Sequence, residues 1–276
     1  MRICRFSTGE EPRFGVVTGE VDQFGQPADD SVVVALAGDP LYVGVKVLEE
    51  QHRLSDVRLL APIIPRSKVV GIGRNYAAHA AELGNDVPSE PLMFLKPNTT
   101  VVGPGDPIYY PPQTSDLHYE GELAVVIGRG GRAIGRERAM EHVAGYAVFN
   151  DASVRDWQRH SSQFTPGKNF PATGGFGPAL VMPDAIGELG AQRVQTRLNG
   201  TLMQDQPVSD LIFDVPALIE YLSAFTALSP GDVIVTGTPG GVGDGRDPPV
   251  YLQAGDVVEV SIGTIGTLRN PVVAEA

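Results

Sequence analysis

The chain has 276 residues, 33 acidic and 21 basic, for a formal charge of −12. That balance excludes the basic footprint of a nucleic-acid binder or of a protein that docks on anionic lipid. Its one cysteine, Cys4, excludes an internal disulfide framework and a cysteine metal cage, and no run approaches the ~20 apolar residues that span a bilayer.

The N-terminal stretch MRICRFSTGEEPRFG lacks the apolar core of a signal peptide, so a cytoplasmic protein is expected. The 33 glycines and 23 prolines imply many turns and a strand-rich chain. Residues 1–60 read as a small β-rich domain built from RICRF, RFGVV and SVVVALAG. Pro62 and Pro65 then make an extended connection, and a second domain is expected over residues 66–276.

A first helix is expected in NYAAHAAEL, with Asn75 as its N-cap and Gly84 past its end. A second runs through RERAMEHV and stops at Gly145. A third is VPALIEYLSAFTAL, capped by Asp214, with Leu218, Leu222 and Phe225 as an apolar stripe. Asn199-Gly200, between two alternating runs, marks a hairpin. The stretches LSPGDVIV and LQAGDVVEV both set Gly-Asp before a valine-rich strand and are expected to be neighbours in one rolled sheet. Strands outnumber helices without regular βα alternation, so the fold class is α+β and β-rich.

Candidate chemistry starts at HYEGELAVVIG. Side chains alternate along a strand, so Glu120 and Glu122 share a face with Ala124 and Val126, while Tyr119, Leu123, Val125 and Ile127 take the other. Asp151 ends the apolar strand YAVFND. Three carboxylates at strand ends suit a hard divalent cation; the competing reading is solvated surface acids. His79 and Glu82 lie three apart on the first helix, so the carboxylate can orient the imidazole as a general base, or the two form an exposed pair without a role. Lys168 is a candidate cation for a developing oxyanion; the competing reading, favoured for an isolated lysine, is a surface side chain. The glycine-rich loop 235–245 offers backbone N–H groups to an anion but lacks the GK[ST] ending of a nucleotide loop. The turn in VVGIGRN lacks the third glycine of a dinucleotide site, which sets NAD aside.

In order along residues ~60–276, VVGIGRNYAAHAAELG, SEPLMFLKPNTTVVGPGDPI, HYEGELAVVIG, YAVFNDASVRDWQ, GK, TRLNGTLMQD, LSPGDVIVTGTPGGVG and GDVVEVSIGTIGTLRNPV resemble the fumarylacetoacetate hydrolase family. The first 60 residues resemble its variable leader domain loosely. The resemblance implies a mixed β-roll or barrel catalytic domain, a homodimer, and Mg²⁺ or Mn²⁺ held by Glu120, Glu122 and Asp151. It assigns the oxyanion lysine to Lys168, the glutamine of RDxQ to Gln158, the threonine of GTP to Thr238, and the water-activating pair to His79 and Glu82. Arg74 and Tyr76 are expected to shape the pocket. The implied activity is cleavage of a C–C bond in a 2,4-dioxo acid, a 1,3-diketone or oxaloacetate, by hydrolysis or decarboxylation through a metal-stabilised enolate. Isomerase, hydratase or lyase chemistry on an unsaturated oxo-diacid or sugar acid is the alternative, and a silent scaffold a further one. One segment departs from the family pattern: NFPATGGFGPAL replaces SFDTFCPLGPW after the lysine, and it is expected to border the substrate.

Overall fold

Short apolar runs separated by glycine and proline turns build three β-sheets in the computed structural model, which describes residues 1–28, 30–82, 84 and 86–275. The largest sheet has twelve strands. Ten follow one another in space as Val47–Arg53, Val32–Leu36, Arg13–Thr18, Arg2–Ser7, Gly174–Val181, Val143–Asp151, Gly121–Ile127, Val233–Val235, Val69–Gly73 and Leu92–Lys96. Along that path only Val233–Val235 and Val69–Gly73 run parallel. The leader strands thus continue the large sheet, joined to Gly174–Val181 at Arg2 and Ile3, and enclose a small apolar cluster around Cys4, Phe6, Val33 and Ala35.

A second sheet takes the order Thr201–Pro207, Arg193–Leu198, Val257–Ile262, Gly266–Ala274 and Ile108–Tyr110. Asn199 (φ 49°) and Gly200 (φ 83°) close its hairpin in the left-handed region that a tight two-residue turn requires. Contrary to the expectation from the sequence echo, the two Gly-Asp strands are not neighbours: Val233–Val235 lies in the large sheet and Val257–Ile262 in the second. A local turn motif sets how a strand begins, not which strand it pairs with.

The helices are few. Asp214 caps Val215–Phe225 by accepting from the Ala217 amide at 3.0 Å, and Leu218 and Leu222 are buried, while Phe225 is exposed. Residues Arg136–His142 form a 3₁₀ helix that ends before Gly145, which belongs to the next strand. The first helix is Ala77–Glu82; Leu83, expected as its last residue, lies outside the described residues. Asn75 does not cap it. Its buried carboxamide donates to the carbonyls of Phe213 (3.0 Å) and Thr236 (2.8 Å) and accepts from the Phe213 amide (2.7 Å), tying three loops together. No helix among the described residues is long and apolar enough to cross a membrane.

Strand Gly121–Ile127 is buried on both faces. Tyr119, Leu123, Val125 and Ile127 pack into the main core with Val194, Val258 and Val260 of the second sheet. Ala124 and Val126 face a second cluster with Val69, Phe149, Phe176 and Val233. Burying each Val- or Leu-sized side chain contributes about 1.5–3 kcal/mol, which anchors the strand that carries the acids. Replacing Asn75 by alanine strands two carbonyls and one amide in this interior and is expected to cost about 3 kcal/mol in denaturant unfolding; a loss under 1 kcal/mol would contradict the tying role.

Candidate active site

The register between two central strands assembles the acids. Gly121 pairs with Asn150 and Glu122 with Phe149, and the Asp151 amide donates to the Glu120 carbonyl at 2.8 Å. Asp151 therefore lies across from Glu120, and Glu122 follows on the same face. All three are buried, and each offers an oxygen within 4.8 Å of the others. Gly121 between them has no room for a side chain, since a Cβ would sit 2.2 Å from Thr196 Oγ1. The surface-acid reading is thereby excluded.

Three buried cations answer this charge. Lys168 Nζ donates to Glu120 Oε2 at 2.6 Å and to Asp151 Oδ2 at 2.7 Å. Lys96 Nζ lies 2.7 Å from Asp151 Oδ1 and donates to the Lys168 carbonyl at 2.5 Å. Arg155 donates to Glu120 Oε1 and, at 2.6 Å, to Gln158 Oε1. The GK pair is needed because a Cβ at Gly167 would lie 2.4 Å from the Val154 carbonyl, so only glycine brings this turn close enough to aim Lys168 at the acids. Burial alone would raise the Glu120 pKa, but Lys168 and Arg155 outweigh it and hold the group well below the carboxylate range. Burial would likewise lower Lys168, and Asp151 and Glu120 overturn that.

Glu122 is the exception. It accepts the Gly237 amide at 2.5 Å and has no cationic side chain within ion-pair distance among the described residues. Burial, then the charges of Asp151 and Glu120, push its pKa well up. A buried, all-oxygen set with one carboxylate lacking a protein cation is the donor chemistry that a hard divalent ion satisfies.

Glu120 and Glu122 line a cavity of about 540 Å³ whose wall also includes Arg74, His79, Phe94, Gln158, Lys168 and Thr238, while Asp151 is not on that wall. His79 is buried on Ala77–Glu82, and its Nδ1 stands 3.6 Å from Glu82 Oε2, longer than a hydrogen bond. Gln158 spends its carbonyl oxygen on Arg155, which leaves its NH₂ for the cavity. Thr238 donates to the Gly121 carbonyl (3.0 Å) and accepts from Gln204 (2.8 Å), so its hydroxyl proton is engaged. Arg74 has its backbone in the left-handed region (φ 55°) and makes no ion pair or hydrogen bond among the described residues. Tyr76 lies off the cavity wall: it is fully buried, bridged to Leu211, and burial followed by Glu122 drives its pKa upward.

Two further differences from the sequence reading concern the surroundings. Residues 169–180, expected to border the substrate, do not line the cavity; they lead into strand Gly174–Val181, and the wall is completed by Arg159, Ser161, Ser162 and Phe164. Lys96 and Arg155 carry no assignment from sequence. The one signal for Lys96 is a lysine closing the apolar run LMFLK just before Pro97, where a buried strand has no reason to hold an unpaired charge.

A profile described as fumarylacetoacetate (FAA) hydrolase C-terminal matches residues 68–273, and one described as Rv2993c-like, N-terminal matches residues 1–62. A mitochondrial oxaloacetate tautomerase of Xenopus laevis is 45% identical over 81% of this chain and 71% of its own. The oxaloacetate tautomerase YisK of Bacillus subtilis is 46% identical over 80% of this chain and 75% of its own. The crystal structure of a 5-carboxymethyl-2-hydroxymuconate delta-isomerase from Mycobacterium smegmatis superposes with a TM-score of 0.87 at 38% identity, covering all of both chains.

Glu122→Gln keeps the shape and removes the one carboxylate of the three that makes no ion-pair contact among the described residues. Calorimetric titration with Mg²⁺ or Mn²⁺ is expected to lose measurable binding while the thermal transition stays in place; affinity within threefold of wild type would place the cation elsewhere.

Proposed function

The chain belongs to the fumarylacetoacetate hydrolase family, and we propose that it is a divalent-cation-dependent enzyme interconverting the keto and enol forms of a 2-oxo dicarboxylate of the oxaloacetate class. The observation that carries this reading is the convergence of three buried carboxylates and Lys168, with Glu120, Glu122 and Lys168 opening onto the cavity. The likeness to oxaloacetate tautomerases moves the preferred reaction from C–C cleavage, toward which the sequence leans, to proton transfer. A homodimer in the cytoplasm, with no nucleic-acid or membrane partner, is part of the same proposal.

Charge supports the substrate class. Glu120, Glu122 and Asp151 are balanced by Lys96, Arg155 and Lys168, so a bound divalent ion leaves a surplus of two positive charges that a dianion neutralises. Held by the three acids, Mg²⁺ or Mn²⁺ supplies Lewis acidity toward the 2-oxo group. The Lys168 ammonium and the Gln158 NH₂ offer hydrogen-bond donors to oxygen that gains charge in the enolate, each worth a few kcal/mol when well placed. His79 accepts a proton from the carbon between the two carbonyl-bearing groups and delivers it to oxygen, or the reverse, with Glu82 favouring the imidazolium that forms in between. Leu92, Phe94 and Phe164 keep that side of the cavity dry. Arg74, a guanidinium without an anionic partner among the described residues, takes the distal carboxylate.

C–C cleavage is the second reading, favoured by the polar side of the wall. Arg159, Ser161 and Ser162 line the same cavity as His79; water admitted there would be deprotonated by that base for hydrolysis of an acylpyruvate. If the distal carboxylate itself departs, CO₂ leaves and the enolate of pyruvate remains. Product analysis separates the readings, because tautomerisation conserves the carbon skeleton and cleavage gives two fragments.

His79→Ala is expected to lower kcat for enol-oxaloacetate ketonisation at least 100-fold with Mg²⁺ affinity unchanged, and turnover near wild type would remove His79 from the reaction. Arg74→Met is expected to raise KM for oxaloacetate about 10- to 100-fold, as for loss of a charge-assisted pair, and to leave the 4-methyl ester unaffected. Equal effects on diacid and ester would show that Arg74 does not read the distal charge.

A further inference from the structure

The glycine-rich loop after Val233–Val235 already holds an anion, and that anion belongs to the protein. The Gly241 amide donates to Glu82 at 3.1 Å to each carboxylate oxygen. Four residues earlier, the Gly237 amide donates to Glu122 at 2.5 Å. One loop therefore grips both the acid offered to the cation and the acid beside His79. We propose that this loop fixes the position of the His79–Glu82 pair relative to the acid cluster, and that Gly245 is a positioning residue that makes room for the Glu82 carboxylate.

Gly245 packs directly against the Glu82 side chain. A Cβ there would sit 2.0, 2.1 and 2.4 Å from Oε1, Cδ and Cγ of Glu82, far inside contact distance, so the side chain would have to leave the loop. The Gly245 backbone itself lies outside the left-handed region, so alanine brings a Cβ without a conformational penalty. Gly241 differs: its φ is +95° and a Cβ would strike the Met203 carbonyl at 2.1 Å, so it is required for the turn as well.

Further hydrogen bonds brace the loop. The Gly241 carbonyl accepts from Tyr119 Oη at 3.0 Å, and Tyr119 Oη accepts from Arg246 Nε at 3.2 Å. Tyr119 immediately precedes Glu120, so the same strand that carries the acids also fixes the loop. On the outer side Asp244 binds Arg159 at 2.5 Å and accepts from Tyr251 Oη at 3.3 Å, and buried His118 stands 3.6 Å from it while bonding Asp116 at 2.6 Å. These contacts give that outer cluster a structural purpose.

The inference rests on His79 as the proton-transfer group, so its test combines a kinetic arm with one independent of turnover. With Mg²⁺ and enol-oxaloacetate, Gly245→Ala is expected to lower kcat 10- to 100-fold with KM within twofold and calorimetric Mg²⁺ affinity within threefold. The Gly245→Ala/Glu82→Ala double variant is expected to be no slower than Glu82→Ala alone, because Gly245 acts through Glu82. In the second arm, the Gly241 amide proton is followed by NMR: Glu82→Ala and Gly245→Ala should each shift it away from its carboxylate-bonded position. Wild-type kcat in Gly245→Ala, additive losses in the double variant, or an unmoved Gly241 resonance in Glu82→Ala would each overturn the proposal. If wild type turns over no oxo acid while the resonance moves as expected, the assigned reaction fails and the loop's grip on Glu82 stands. Should Gly245→Ala fold poorly, Glu82→Ala alone decides the amide arm.

Discussion

Like charges packed at the end of a buried strand pair are the constraint around which this molecule is built. Three carboxylates with oxygens within 4.8 Å of one another repel by about 3 kcal/mol per pair at an effective dielectric near 20. No surface solvent relieves them, because the strand that carries two of them is covered by a core on each face. The fold therefore delivers cations from three places in the chain: Lys96 from the sheet edge, Arg155 from a helical turn after Asp151, and Lys168 from the glycine-tightened turn beyond it. Removing a partner from such a group leaves a buried charge uncompensated, which costs far more than the pair contributes.

The compensation is uneven, and the unevenness gives the site its chemistry. Glu120 and Asp151 are closely paired, whereas Glu122 is left to a backbone amide. The site is thus near neutral without an ion and carries positive surplus with one. Arg74 lines the same cavity and adds a further positive charge to its wall.

Coupling between the halves of the site runs through the backbone. Tyr119 braces the glycine-rich loop, Glu120 and Glu122 follow it on the same strand, and the loop returns to hold Glu122 and Glu82 through amides four residues apart. Short hydrogen bonds to main-chain N–H groups transmit position with little slack, which a site that must place a base near a ligand-bearing floor requires. The helix carrying His79 is a short alanine-rich turn with few large side chains of its own, and the loop amide is one of the groups that hold it through Glu82.

The sequence by itself determined what depends on neighbours along the chain. Strand periodicity set Glu120 and Glu122 on one face and split Tyr119, Leu123 and Val125 from Ala124 and Val126, as found. Asp214 before a proline and an apolar stripe defined the long helix, and Asn199-Gly200 the hairpin. The ordered motifs identified the family. Tertiary structure alone decided what depends on register and reach across distant segments: Asp151 opposite Glu120, Lys96 and Arg155 as counter-charges, Asn75 as a tie between loops rather than a cap, and the cavity wall formed by residues 159–164 instead of 169–180. It also made the glycine-rich loop a receptor for Glu82. The physical reason is that periodicity and capping are set within a turn or two of the backbone, whereas charge compensation and close approach are settled between residues tens of positions apart, where only the folded chain fixes the distance.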